Sequence, residues 1–134
     1  GKMRFTLRGD VYISAQDIRE LQLAKAAIRA GAETLLALQG KTAEDVTDLV
    51  IAGGFGSFMD KNSALRIGLL PQVPPERIRD VGNAAGAGAA LALTPDGRAR
   101  LAAFTAKCSY LELSGSRRFM EEYVDRMAFE EEDD

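Results

Sequence analysis

Two stretches of the chain place glycines where an apolar strand ends. In one, Asp48 to Ala52 runs straight into Gly53-Gly54-Phe55-Gly56; in the other, Ile78 to Val81 runs into Gly82-Asn83 and the small-residue stretch AAGAGAALAL. In open α/β sheets, ligands sit beyond the carboxyl ends of the strands. Glycine at that place lets backbone approach a ligand and adopt positive φ, and a following helix offers free N–H groups to an anion. The chemistry so indicated is the holding of a phosphate or nucleoside, with two loops clasping one nucleotide. The same residues also serve tight turns and close helix–sheet packing, and neither stretch completes a known phosphate motif. Gly54 and Gly56 start a G-x-G-x-x-G pattern, but Met59 occupies the third glycine position, and no G-K-[ST] follows.

Absences narrow the chemistry further. The chain has no histidine and a single cysteine, Cys108, so His-dependent general-base catalysis, most zinc sites, an internal disulfide and a cysteine-ligated cluster are excluded. Its 134 residues, 46% hydrophobic and 28% charged, suit one globular domain. Of the 20 acidic residues five stand at Glu130 to Asp134, leaving 15 against 17 Lys and Arg, so the net charge of −3 becomes about +2 for residues 1–129. The expected organisation is therefore one α/β domain over 1–129 and an acidic, solvated tail over 130–134. Basic residues are scattered rather than striped with aromatics, which argues against a nucleic-acid partner. No apolar run approaches the ~20 residues of a membrane span, and a cytoplasmic, non-membrane protein is expected.

The elements that must position the glycine loops follow from periodicity and punctuation. Met3 to Leu7 and Val11 to Ser14 read as strands about an Arg8-Gly9-Asp10 turn. Ser14, with Asp17, opens a helix from Ala15 to about Gln39, in which Ile18, Leu21, Ala24, Ile28, Leu35 and Leu38 recur at helical spacing until Gly40. Gly31 in its interior costs ~1 kcal/mol against alanine, which a close packing neighbour would explain. Thr42 and Asp45 resemble a capping box before the strand Asp48 to Ala52, whose continuous apolar run suits a parallel strand covered on both faces. Asp60 or Asn62 caps a second helix ending at Gly68. The strand Ile78 to Val81, a small-residue helix, a helix from Pro95 to Phe104, a strand from Ser109 to Leu113 and a helix from Arg117 to Met127 complete the order. Strands alternating with helices imply a largely parallel sheet flanked by helices.

Taken together, DIRELQLAKAAIRAG, AGGFGSFMD, ALRIGLLP and VGNAAGAGAA closely resemble the carboxyl-terminal domain of reductive activators of corrinoid proteins, and YLELSGSRRFMEEYVDRMAF extends the likeness to nearly the whole chain. Those activators carry an amino-terminal [2Fe-2S] domain and belong to the superfamily of acetate and sugar kinases, heat-shock chaperones and actin. The resemblance implies an actin-like, ribonuclease H-like ATPase lobe that binds ATP or ADP with Mg. It implies, further, that the whole protein couples nucleotide to reduction of a Co(II) corrinoid to Co(I). Carried over, Gly53, Gly54 and Phe55 line the adenosine site and Gly56 completes its turn. Lys25 and Arg29, one turn apart on the first long helix, reach the nucleoside from the other side, their alternative being solvated side chains. Gly82, Asn83 and Gly86 stand near the same pocket. The chain resembles most of the second lobe only, so its own amino-terminal lobe and a corrinoid protein are the implied partners, with a homodimer as a further candidate. No catalytic or metal-binding residue is assigned: Asp60 reads as a helix cap and Asp48 as a strand-edge charge. Two alternatives stand beside this reading, a lobe of a small-molecule kinase of the same superfamily, and a docking or dimerisation module whose nucleotide site has decayed.

Overall fold

The computed structural model describes residues 3–54 and 56–129. Strands β1 (Arg4–Arg8) and β2 (Val11–Ser14) form an antiparallel hairpin with Phe5 opposite Ile13 and an irregularity between Thr6 and Arg8. Helix α1 (Ala15–Leu38) starts where it does because Ser14 and Asp17 satisfy each other's backbone. The Asp17 amide donates to Ser14 Oγ at 3.2 Å, and the Ser14 amide donates to the Asp17 carboxylate at 2.8 Å. The helix stops at Gly40, whose φ of +64° only glycine adopts cheaply. A short turn, Ala43–Asp45, leads to β3 (Leu49–Ile51); helix α2 (Lys61–Arg66), the turn Pro75–Arg77 and β4 (Ile78–Asp80) follow. The chain continues through α3 (Ala84–Leu91), α4 (Pro95–Thr105) and α5 (Arg117–Asp125).

Strands β3 and β4 pair in parallel, with Leu49 opposite Ile78 and Ile51 opposite Asp80. The expected parallel arrangement is thus present, but as a pair: the described residues form two separate two-stranded sheets. The expected strand Ser109 to Leu113 does not form. Glu112 instead collects the Tyr110 hydroxyl at 2.5 Å, the Ser114 hydroxyl at 2.6 Å and the Ser114 amide at 3.0 Å. Such local side-chain bonds compete with a ladder, and the segment joins neither of the two sheets that the described residues form. These bonds, Ser114 first and Tyr110 next, hold the Glu112 carboxyl at about 2 instead of 4.5. A depressed carboxylate contributes order above its unfolded value and loses it as pH falls. The Ser114 amide shift is therefore expected to move as pH drops from 4.5 to about 2, and Glu112→Gln to abolish that titration. A Ser114 amide that ignores this window would contradict the arrangement.

One core lies between α2 and the parallel pair. Ala64, Leu65, Leu70, Val73 and Ile78 are buried together, with Ala43, Val46, Leu49, Ile51, Met59 and Leu69 packed around them. Helix α1 packs instead on α5, and its buried positions are small or polar: Lys25, Ala26, Arg29, Ala30, Gly31 and Thr34. The close neighbour expected to explain Gly31 is not found: a Cβ there would meet Leu113 Cδ1 at 3.5 Å, an ordinary packing distance that alanine would also allow. The apolar stripe of α1 is the uncovered side: Leu21 is 43% exposed, Ile28 54% and Leu38 58%. Phe5, Leu7 and Val11 of the hairpin are exposed as well. The whole chain presents 10155 Å² to solvent, where a compact monomer of this size would present about 6800 Å². Among the described residues no helix is long and apolar enough to cross a membrane.

Candidate functional site

The two glycine turns lie side by side at the carboxyl ends of the parallel pair. Beyond the last paired residues, the Val81 amide donates to the Ile51 carbonyl at 3.0 Å and the Gly53 amide to the Gly82 carbonyl at 2.7 Å. These bonds carry the β3–β4 register out of the strands and stitch one turn to the other. Gly53 has φ +93° and Gly82 φ +58°, so both corners require glycine.

The remaining glycines have distinct reasons. Gly56 is buried, and a Cβ there would stand 2.7 Å from Asp80 Oδ1 and 2.8 Å from Ile51 Cγ2, so it allows the turn to lie flat on the strand ends. Gly54 is exposed, with nothing within 4 Å of its Cβ position. It opens onto a concavity of about 470 Å³ lined by Gly54, Phe58, Met59 and Leu69, within the usual size range of small-molecule sites. Phe58, 93% exposed, stands at the edge of this hollow. Phe55 lies outside the described residues.

Asn83 is the N-cap of α3, accepting the Gly86 amide at 2.8 Å. A Cβ on Gly86 would stand 2.5 Å from the Asn83 amide nitrogen, so a side chain there would displace the capping Asn83. The structure thus brings Gly53, Gly54, Gly56, Gly82, Asn83 and Gly86 into one neighbourhood. It also adds two residues that the sequence reading passed over. Asp80 Oδ1 accepts the Gly82 amide at 2.9 Å and packs under Gly56; an Asp two positions before a glycine was the available sign of such an Asx-type turn. Leu69 follows Gly68, which has φ +73°, and no local pattern ties it to a hollow beside Gly54.

Lys25 and Arg29 are neither solvated nor open toward a ligand at their observed contacts. Lys25 is 2% exposed, and its Nζ donates to the Arg126 carbonyl at 2.6 Å and the Ala128 carbonyl at 2.7 Å, with the Phe129 ring centroid 5.1 Å away. Arg29, 4% exposed, donates Nε to Glu33 at 2.7 Å and Nη1 to the Leu70 carbonyl. The solvated alternative fails because a carbonyl cage at the end of α5 and an acidic neighbour on α1 make burial of the two charges tolerable. Asp60 caps α2 by accepting the Ser63 amide at 2.7 Å, and hydrogen bonding from Ser63 holds its carboxyl below the usual range. Asp48 pairs with Arg79 at 2.9 Å on the surface, a contact worth about 0–1 kcal/mol.

A parallel strand pair ending in stitched glycine turns, with α2 packed against it, is a small α/β arrangement. Residues 2–134 match the model of a family described as the C-terminal domain of RACo, the ASKHA domain, and the chain belongs to that family. It is 38% identical over 116 residues to the corrinoid activation enzyme RamQ of Eubacterium limosum, an alignment covering 86% of this chain and 20% of that protein. The chain thus spans about a fifth of the length of that curated relative.

Proposed function

We propose that the stitched turns hold the nucleoside of ATP or ADP, and that this domain serves a corrinoid activator in which nucleotide drives reduction of Co(II) corrinoid to Co(I). The observation that carries this reading is the exposed Gly54 beside an open, mostly apolar hollow, at turns locked by the Gly53–Gly82 bond. The residues fit a purine nucleoside: backbone with no Cβ on one side, and Phe58, Met59 and Leu69 for an aromatic face. Asn83 spends its side chain on the α3 cap, so its part is to set the direction of that helix against the turn. Asp80 fixes the Gly82 corner and leaves no slack beneath Gly56.

In such an activator a [2Fe-2S] cluster, held outside this chain, would supply the single electron that the Co(II) corrinoid takes up. That reduction is strongly uphill, so nucleotide must favour one docking state over another by differential affinity. A cysteine-ligated cluster cannot be held by this chain, which has one cysteine, and no residue here is assigned to Mg. Calorimetric titration of the full-length protein with ADP tests the site. Gly54→Arg is expected to weaken binding at least about tenfold, since an arginine at the open position fills the hollow. Unchanged affinity in that variant would move the nucleoside elsewhere.

The second reading, a docking or dimerisation module, is favoured by one observation: the uncovered apolar stripe of α1 and the exposed face of the hairpin. A stable dimer by light scattering, with no ADP binding in the wild type, is its expected signature.

A further inference from the structure

The two buried cations of α1 have a common target. Helix α2 ends in a turn in which the Gly68 amide donates to the Leu65 carbonyl at 3.0 Å and the Leu69 amide to the Ala64 carbonyl at 2.9 Å. This is the paired hydrogen-bond pattern of a Schellman C-cap, and it turns Leu69 back over the last turn of α2. Leu69 lines the same hollow as Gly54. Arg29 holds the next residue through the Leu70 carbonyl, and Lys25 Nζ stands 3.6 Å from the Cβ position of Gly68. On its other side the same Lys25 grips the carbonyls of Arg126 and Ala128. Helix α1 thus joins the chain after α5 to the segment that walls the hollow.

We infer that Arg29, supported by Lys25, is a positioning residue for the nucleotide: it acts by holding the Gly68–Leu70 turn so that Leu69 closes the hollow, without touching the ligand. This rests on the nucleotide reading of the Gly54 hollow. A cation packed against a carbonyl of a short turn restricts where the next side chain can lie, because guanidinium donors have fixed directions. Loss of Arg29 lets the turn relax and leaves Leu69 free to leave the wall. Its effect on affinity must then pass through Leu69.

The test is a double-mutant cycle read as ADP affinity on the full-length protein by calorimetry. Arg29→Met and Leu69→Ala are each expected to weaken ADP binding on the order of tenfold, while Arg29→Met in the Leu69→Ala background adds nothing. General destabilisation or direct contact would give the same loss in both backgrounds, and that additivity overturns the inference. Unchanged affinity in Arg29→Met overturns it as well. Arg29→Lys, which keeps a buried charge and one donor, takes the place of methionine in the cycle if Arg29→Met does not fold. A wild type that binds no ADP overturns the nucleotide reading itself, an outcome distinct from additivity.

Discussion

Gly97→Ala is expected to destabilise the protein by about 3 kcal/mol, or roughly 10 °C in Tm, despite replacing a helical glycine with the best helix former. Gly97 sits buried in the first turn of α4, where its amide donates to Thr94 Oγ1 at 3.0 Å. A Cβ there would overlap the Leu91 carbonyl oxygen, and would lie 2.7 Å from the Leu91 carbonyl carbon and 2.8 Å from Thr94 Oγ1. Two of those obstacles are backbone at the end of α3, and the third is the cap of α4, so no rotamer change relieves the clash. The alanine gains ~1 kcal/mol of helix propensity, which the overlap exceeds. Gly88 in α3 is the control: nothing lies within 4 Å of its Cβ position, and Gly88→Ala is expected to stabilise by up to about 1 kcal/mol. A thermal melt of both variants decides the matter, and an unchanged Tm for Gly97→Ala would rule out the close α3–α4 corner.

Lys25→Met is expected to cost about 3 kcal/mol of stability, read as a lowered urea midpoint, and to release the chain after α5. Methionine keeps most of the stem volume, so the change isolates the ammonium. Burying that ammonium costs several kcal/mol, which in an intact cage is met by two charge-assisted bonds of about 1.5–3 kcal/mol each and by the ring of Phe129. The net worth of the complete arrangement is therefore modest. Removing one side of it is not, because the carbonyls of Arg126 and Ala128 then lose their donor at about 1–3 kcal/mol each. Release of the segment into water recovers part of that, which sets the expected total near the middle of the range. Faster amide exchange at residues 126–128 with a lowered midpoint is the expected pair of results; a midpoint equal to wild type would show that the cage contributes nothing to α1–α5 packing.

Much of this protein was legible without its structure where the cause is local. Ser14 with Asp17, Thr42 with Asp45, and Asp60 stand three residues or fewer from what they bond, so their roles follow from type and spacing. Gly40 and Gly68 end helices with positive φ for the same reason. The two strands entering glycine were also readable, as was the hairpin, whose second strand falls at Val11–Ser14 as read and whose first runs one residue later, at Arg4–Arg8. Ser109 to Leu113 was misread because alternation states which residues suit a strand and not whether an edge is there to receive it. In its place Glu112 draws Tyr110 and Ser114 onto itself.

The deeper division concerns which face of α1 is inside. Helical spacing singled out Ile18, Leu21, Ile28, Leu35 and Leu38, and hydrophobicity alone would bury them. The fold buries Ala26, Ala30 and Gly31 with Lys25 and Arg29, because α1 packs on α5 by that side and distant carbonyls accept the two charges. Those partners stand 41 to 103 residues away along the chain, beyond anything a local pattern encodes. The sequence by itself determined the glycine corners, the caps and the family likeness, since each rests on backbone geometry or on short ordered motifs. Only the tertiary structure decided that Gly53 meets Gly82, that Asp80 and Leu69 stand beside the glycine turns, and that Lys25 and Arg29 face the protein's own carbonyls, because burial and pairing at long range are properties of the packed chain.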